Sequence, residues 1–306
     1  MRSVKTSVMG PLKQTPVNSS TRPSAGDGPD GGDIVRAVDS PWAERLRALH
    51  RQVRLTVSKA GRANTENRNA KGDEVKLFDL AADDTALAAL GDFDVSMVVV
   101  SEESGCQEIG AGAQYRLVLD PVDGSDNWAR GLPLSALSCA VLPIDAPLHP
   151  DWVEAALVGP LERDVPLIAL KNSGAWRDRE RLQTSGVRDI AGAMISVELN
   201  HHSPSPGLAR LMSAARGVRC YGCASRAISL VAESASDAYV DLRGRLTAES
   251  YLAAARLLVE AGGCVVGLDG KPVTAPENLT DRVSLIAASS RELCHEIVEM
   301  LASGQD

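Results

Sequence analysis

The chain has 306 residues, 44% apolar and 24% charged, with a formal net charge of −8 and an aromatic content of 3%. That length and apolar fraction suffice for one large domain or two smaller ones around a sizeable core. The negative balance argues against a broad nucleic-acid or anionic-membrane surface, both of which need clustered Lys and Arg, and the scarcity of rings argues against a base-stacking platform.

No stretch reaches the roughly 18 to 20 apolar residues of a spanning helix, and the first 30 residues lack the apolar core of a secretory signal. Six cysteines, Cys106, Cys139, Cys220, Cys223, Cys264 and Cys294, are too sparse for a disulfide framework and suit a reducing compartment. A soluble, cytoplasmic protein is expected, with neither nucleic acid nor membrane as partner.

Residues 1–35 are rich in Gly, Pro, Ser and Thr without periodicity, which predicts a disordered tail. Ser40 and Pro41 then precede apolar residues at Trp42, Leu46, Leu49, Val53 and Leu55, the spacing of an amphipathic helix. "DLAADDTALAAL" reads as a second helix. The run "SMVVVS", Ser96 to Ser101, reads as a buried strand, and "YRLVLD", "SALSCAVLPI", "DWVEAALVG" and "VPLIALK" as four more. Beyond Gly174 strands and helices alternate as far as "RELCHEIVEMLAS". The predicted class is therefore α/β, with an α+β half over 36–170 and an α/β half over 171–306.

Two predicted strands end in carboxylates: "VVVSEESG" in Glu102 and Glu103, "LVLDPVDGS" in Asp120 and Asp123. Strand ends are where open sheets place chemistry. If the two strands are neighbours, four carboxylates share one crevice, and such a cluster stays ionised only with cations bound. Hard oxygen ligands at this density suit Mg²⁺, with Mn²⁺ possible, and two ions roughly 3.5 to 4 Å apart would clamp a phosphate for attack by water. Taken alone, "DPVDG" also fits a surface turn. Ser125 after Gly124 favours the first reading, because Gly lets backbone approach a phosphate and a new helix start offers N–H groups to anions.

"DPVDGSDNW", with "SEESG" eighteen residues upstream, "KGDEVKLFDLAADD" before it and "EAGGCVVGLDGKPV" near the C-terminus, resembles the inositol monophosphatase family from about Trp42 to Ala302. The resemblance implies a layered α-β-α-β-α sandwich of the sugar-phosphatase type and a Mg²⁺-dependent phosphomonoesterase acting on a small phosphorylated polyol or sugar. It implies that Glu102, Asp120 and the Val122 carbonyl hold an activating metal, that Asp120 and Asp123 share a second, and that Ser125, paired with Asp79, orients the attacking water. Gly124 and Ser125 would cradle the phosphate, Gly222, Cys223 and Ala224 would contact substrate hydroxyls, and Asp241 would accept from them. A homodimer is the assembly implied.

One position departs from the family pattern. Counting back from Glu260, the usual second-metal Asp falls on Ser250, with Glu249 one residue earlier as the replacement carboxylate. A catalytically weak or inactive relative that binds a phosphorylated ligand or a protein partner is the alternative this substitution raises. Arg243 and Arg245 read either as contacts to a second phosphate or as solvated loop residues. "CYGC", Cys220 to Cys223, has redox or zinc half-site spacing without a second such pair, and a strand-to-helix junction accounts for it. Trp128 is expected to support the phosphate loop.

Overall fold

The computed structural model describes residues 40–61, 64–68, 74–278 and 280–303, so the expected tail lies outside the described residues. Helix α1 (Pro41–Lys59) starts where Ser40 Oγ accepts from Ala43 N–H at 3.1 Å, with Pro at its first turn, and buries Leu46, Leu49 and Val53 along one stripe. A short antiparallel pair, β1 (Asn64–Arg68) and β2 (Glu74–Lys76), leads into α2 (Leu77–Gly91).

Next come β3 (Met97–Ser101), β4 (Gly105–Ile109), β5 (Tyr115–Asp123), the one-turn helix α3 (Ser125–Ala129), β6 (Ala136–Pro143), β7 (Ala155–Pro160), β8 (Leu167–Leu170), β9 (Gly174–Arg177) and β10 (Glu180–Arg181). They form an eight-stranded sheet in the order β10-β9-β8-β7-β6-β5-β3-β4. β3 and β5 run parallel; the other neighbours are antiparallel.

The second sheet takes β11 (Met194–Val197), β12 (Gly217–Arg219), β13 (Ala238–Leu246), β14 (Cys264–Val266) and β15 (Val283–Ala288), ordered β12-β11-β13-β15-β14. Interleaved are α4 (Pro206–Ala214), α5 (Ala224–Ala232), α6 (Ala248–Glu260) and α7 (Arg291–Ala302). The change of sheet falls between Arg181 and Met194, because β8, β9 and β10 continue the first sheet by short antiparallel turns.

Strand alternation assigns the layers. Leu117 and Leu119 of β5 pack with α1 and α2, whereas Val118 packs with α5 and α6. On the second sheet Tyr239 and Ala287 face α5 and α6, while Val240 and Ile286 face α4 and α7. The result is an α-β-α-β-α sandwich whose middle layer is α5 and α6. Small residues in α6, Ala253, Ala254 and Ala255, all buried, let both sheets approach that helix. At its far end Glu260 accepts from Asn172 N–H and Gly174 N–H, both at 2.7 Å, and pairs with Arg256. Among the described residues no helix is long and apolar enough to cross a membrane.

His50 is fully buried under the first sheet, with its Nε2 3.1 Å from the Pro160 carbonyl. Burial pushes its pKa below the ordinary 6.5. The unfolded chain therefore takes up a proton before the folded one does, so His50 contributes stability that is present above 6.5 and lost as the pH falls through the folded value. In urea unfolding between pH 7.5 and 5.5, His50→Gln is expected to show a shallower loss of stability than the parent.

Candidate active site

The site begins at two adjacent strand ends. β3 and β5 pair with Ser101 opposite Leu119, and Glu102 N–H donates to Leu119 O at 3.1 Å, which sets Glu102 beside Asp120. Pro121 has no N–H to give the ladder. The pairing with β6 accordingly slips between Asp120, opposite Ser138, and Asp123, opposite Ala136. Such a bulge re-aims the side chains that follow it. Asp120 is buried, and its Oδ1 accepts from Val122 N–H at 3.1 Å.

Asp79, buried in the first turn of α2, joins this end of the sheet. Its Oδ2 accepts from Lys76 N–H at 2.9 Å and its Oδ1 lies 2.8 Å from Ser125 Oγ, which is also 2.9 Å from the Val122 carbonyl. The hydroxyl has one proton, so it serves these two acceptors in turn. Loss of hydration raises the Asp79 pKa, and the Glu102 charge raises it further. Lys76, itself nearly buried, reaches Asp126 Oδ1 at 2.9 Å and supplies a positive charge at the rim. Nothing in the sequence marked Lys76, a single Lys ahead of a helix.

Asp123 ties the strand end to the middle layer. Its Oδ2 accepts from Ser225 N–H at 2.7 Å, in the first turn of α5, and from Cys223 Sγ at 3.2 Å. A carboxylate at a helix N-terminus is favoured by the orphan N–H groups and the helix dipole. Burial, with Glu102 contributing, raises the Asp123 pKa. Burial and then the Asp123 charge push the Cys223 thiol well up, so this sulfur is a protonated donor, not a redox nucleophile. Gly124 follows at φ +81°, where an added Cβ would sit 2.9 Å from both Cys223 Cβ and the Leu134 carbonyl. Asn127 donates from Nδ2 to Tyr221 O at 2.7 Å and to Leu134 O at 2.9 Å, locking α3 against the segment that carries Gly222.

Beside these groups opens a cavity of about 330 Å³, lined by Asp123, Gly222, Cys223, Ala224 and Ser250 among others. Ser250 thus reaches the cleft. Glu249 is buried in the same first turn of α6, and its carbonyl accepts from Ser138 Oγ at 2.8 Å, so that turn lies over the cross-strand neighbour of Asp120. Asp241 has no exposed surface. It accepts from Tyr239 Oη at 3.2 Å, Arg243 N–H at 2.8 Å, Nε at 3.0 Å and Nη2 at 2.6 Å. Asp241, expected to accept from substrate hydroxyls, accepts here from Tyr239 and Arg243, and Arg243 lines the cleft. Glu198, past the end of β11, also lines the cleft and was not anticipated.

Asp79, Glu102, Asp120, Asp123 and the Val122 carbonyl present hard oxygen donors only, and two of the carboxylates carry the imprint of the Glu102 charge. That chemistry fits a hard divalent cation. Among the described residues no three His, Cys, Asp or Glu side chains are gathered into a coordination shell; Asp123 and Asp79 are held by the backbone donors named above.

The chain from residue 39 to 304 matches the model of the inositol monophosphatase family. The chain belongs to that family. It is 29% identical to the fructose-1,6-bisphosphatase of Pyrococcus furiosus over 230 residues, 75% of this chain and 84% of that protein. Inositol monophosphatase 1 of Xenopus laevis is 28% identical over 250 residues, 76% of this chain and 81% of that protein. The same fold is seen in the crystal structure of an inositol monophosphatase-fructose 1,6-bisphosphatase, with a TM-score of 0.72 and 23% identity, covering 85% of this chain and all of that one. The layered fold is thus that of the family.

Gly124→Ala combines a left-handed backbone with two close approaches. It is expected to destabilise the protein by about 2 to 4 kcal/mol, read as a shift of the urea midpoint at unchanged slope.

Proposed function

We propose that this family member is a metal-dependent phosphomonoesterase that hydrolyses a small phosphorylated polyol or sugar. The observation that carries the reading is the Ser125 hydroxyl, 2.8 Å from Asp79 and 2.9 Å from the Val122 carbonyl, at the head of a buried carboxylate group. Glu102, Asp120, Asp123 and the Val122 carbonyl would hold Mg²⁺ or Mn²⁺, with Glu249 or Ser250 completing the second position. Bound there, such ions supply charge to the phosphoryl oxygens and lower the pKa of water.

The remaining work falls to the chain itself. Ser125, donating to Asp79, leaves its lone pairs to accept from a water and fix its direction. As that water attacks, its proton passes to Ser125 Oγ while the Ser125 proton passes to Asp79, already its hydrogen-bond acceptor. The N–H groups that open α3, that of Ser125 included, lack intrahelical partners and suit the phosphate oxygens. Gly222, Cys223 and Ala224 border the space left for the rest of the ester.

The test is phosphate release from a panel of sugar and inositol phosphates with Mg²⁺ and with Mn²⁺. Release is expected, chelation is expected to abolish it, and Ser125→Ala and Asp79→Asn are each expected to lower kcat by about 10² or more. A panel with no turnover under either ion, or a Ser125→Ala protein at full rate, refutes the proposal. Ser250→Asp and Glu249→Gln are compared in the same assay for the Mg²⁺ concentration at half-maximal rate. If Ser250 leaves the second position weak, Ser250→Asp lowers that concentration about tenfold; if Glu249 fills it, Glu249→Gln raises it by a similar factor.

A further inference from the structure

Away from the cleft, the fold brings two thiols together. Cys264 opens β14, the edge strand of the second sheet, and lies opposite Ala288 at the end of β15. Only Ser289 and Ser290 separate β15 from α7, and Ser290 caps that helix, its Oγ accepting from Leu293 N–H at 3.1 Å. So short a connection folds the first turn of α7, Cys294 included, back beside the start of β14. Cys294 Sγ lies 3.7 Å from the Cys264 carbonyl, and the two side chains hydrogen-bond to each other. Both belong to the apolar cluster that packs α4 and α7 on the second sheet.

The two sulfurs are not equivalent. Cys294 is buried, whereas Cys264 is half-buried and keeps solvent access. The hydrogen bond from Cys294, helped by the Arg291 charge three residues before it, lowers the Cys264 thiol to about 7, and the same bond raises the Cys294 thiol well above its ordinary value. Cys139, Cys220 and Cys223 go the other way, each raised by burial. A half-exposed sulfur with thiolate character, touching a protonated thiol, is a nucleophile whose resolving partner is already in place.

We propose that Cys264 and Cys294 form a peroxide-reactive dithiol, with Cys264 as the nucleophile and Cys294 as the resolving thiol. The Cys264 thiolate attacks one oxygen of H₂O₂, the O–O bond breaks, and the leaving hydroxide takes a proton from solvent, giving water and a sulfenic acid on Cys264. The Cys294 sulfur then attacks the Cys264 sulfur. The S–S bond forms as the S–O bond breaks, and the departing hydroxide takes the Cys294 proton as a second water. Each sulfur loses one electron and the peroxide gains both. The product ties the edge strand of the second sheet to α7, and a thiol reductant reverses it by exchange.

The test is peptide mapping by mass spectrometry of the full chain, treated with excess H₂O₂ and alkylated, with and without subsequent dithiothreitol. The Cys264 and Cys294 peptides are expected to be joined, short of two hydrogens, before dithiothreitol and separate after it. Recovery of both as alkylated free thiols overturns the proposal, as does a disulfide from either residue to another cysteine. In Cys294→Ser, dimedone is expected to trap the sulfenic acid on Cys264 in a yield about tenfold above that in the parent, where Cys294 consumes it. No adduct on Cys264, or equal yields in the two proteins, overturns the assigned roles. Mapping of the parent needs no substitution, so it decides the proposal even where replacing the buried Cys294 impairs folding.

Discussion

The site depends on one contact, the Asp123 carboxylate on the N-terminus of α5. Asp123 ends a strand of the first sheet; α5 lies in the layer between the sheets. Its Oδ2 accepts from the Ser225 N–H at 2.7 Å and from the Cys223 thiol as well. With that contact made, Gly124 must pass close to Cys223, which leaves no room for a side chain, and Asn127 can reach the Tyr221 carbonyl. The α3 side and the α5 side of the cleft are therefore fastened to each other by Asp123, with Asn127 as a second tie. The bulge opposite β6, set off by Pro121, turns Asp123 toward its helix.

Charge is distributed unevenly along the cleft. At one end lie Asp79, Glu102, Asp120 and Asp123; burial raises the pKa values of Asp79 and Asp123, and the Glu102 charge adds to both. At the other end are Arg243, Arg245 and Arg282. Net charge of −8 for the whole chain hides this polarity.

Much of this architecture was legible because it is written in local patterns. The β-branched run ending in Glu102 and the apolar run ending in Asp120 announced two strands, and their parallel pairing brings the ends together. The layered sandwich followed from the alternation after Gly174 together with the family resemblance. β4 escaped because its residues are mostly exposed and polar, so no apolar alternation marks it, and β10 is two residues long. The proximity of Asp79 to Ser125, 46 positions apart, came only through the resemblance. The surroundings of Asp241 were hidden for a different reason. Whether a carboxylate faces a ligand or is consumed by an Arg two positions on depends on side-chain burial, and Asp-x-Arg on a strand is compatible with both. Lys76 and Glu198 likewise gain their places from tertiary packing, with no motif around them.

The helix α6 joins two regions that are distant in the fold. Ser250 stands in its first turn, at the cleft, and Glu260 at its last residue grips the backbone of the β8–β9 turn. Thirteen residues of α-helix make a stiff rod about 20 Å long, and the alanines on its flanks leave the two sheets pressed against it like bearings on a shaft. Any rigid shift of this helix would therefore move the Asn172 turn and the first turn at the cleft together.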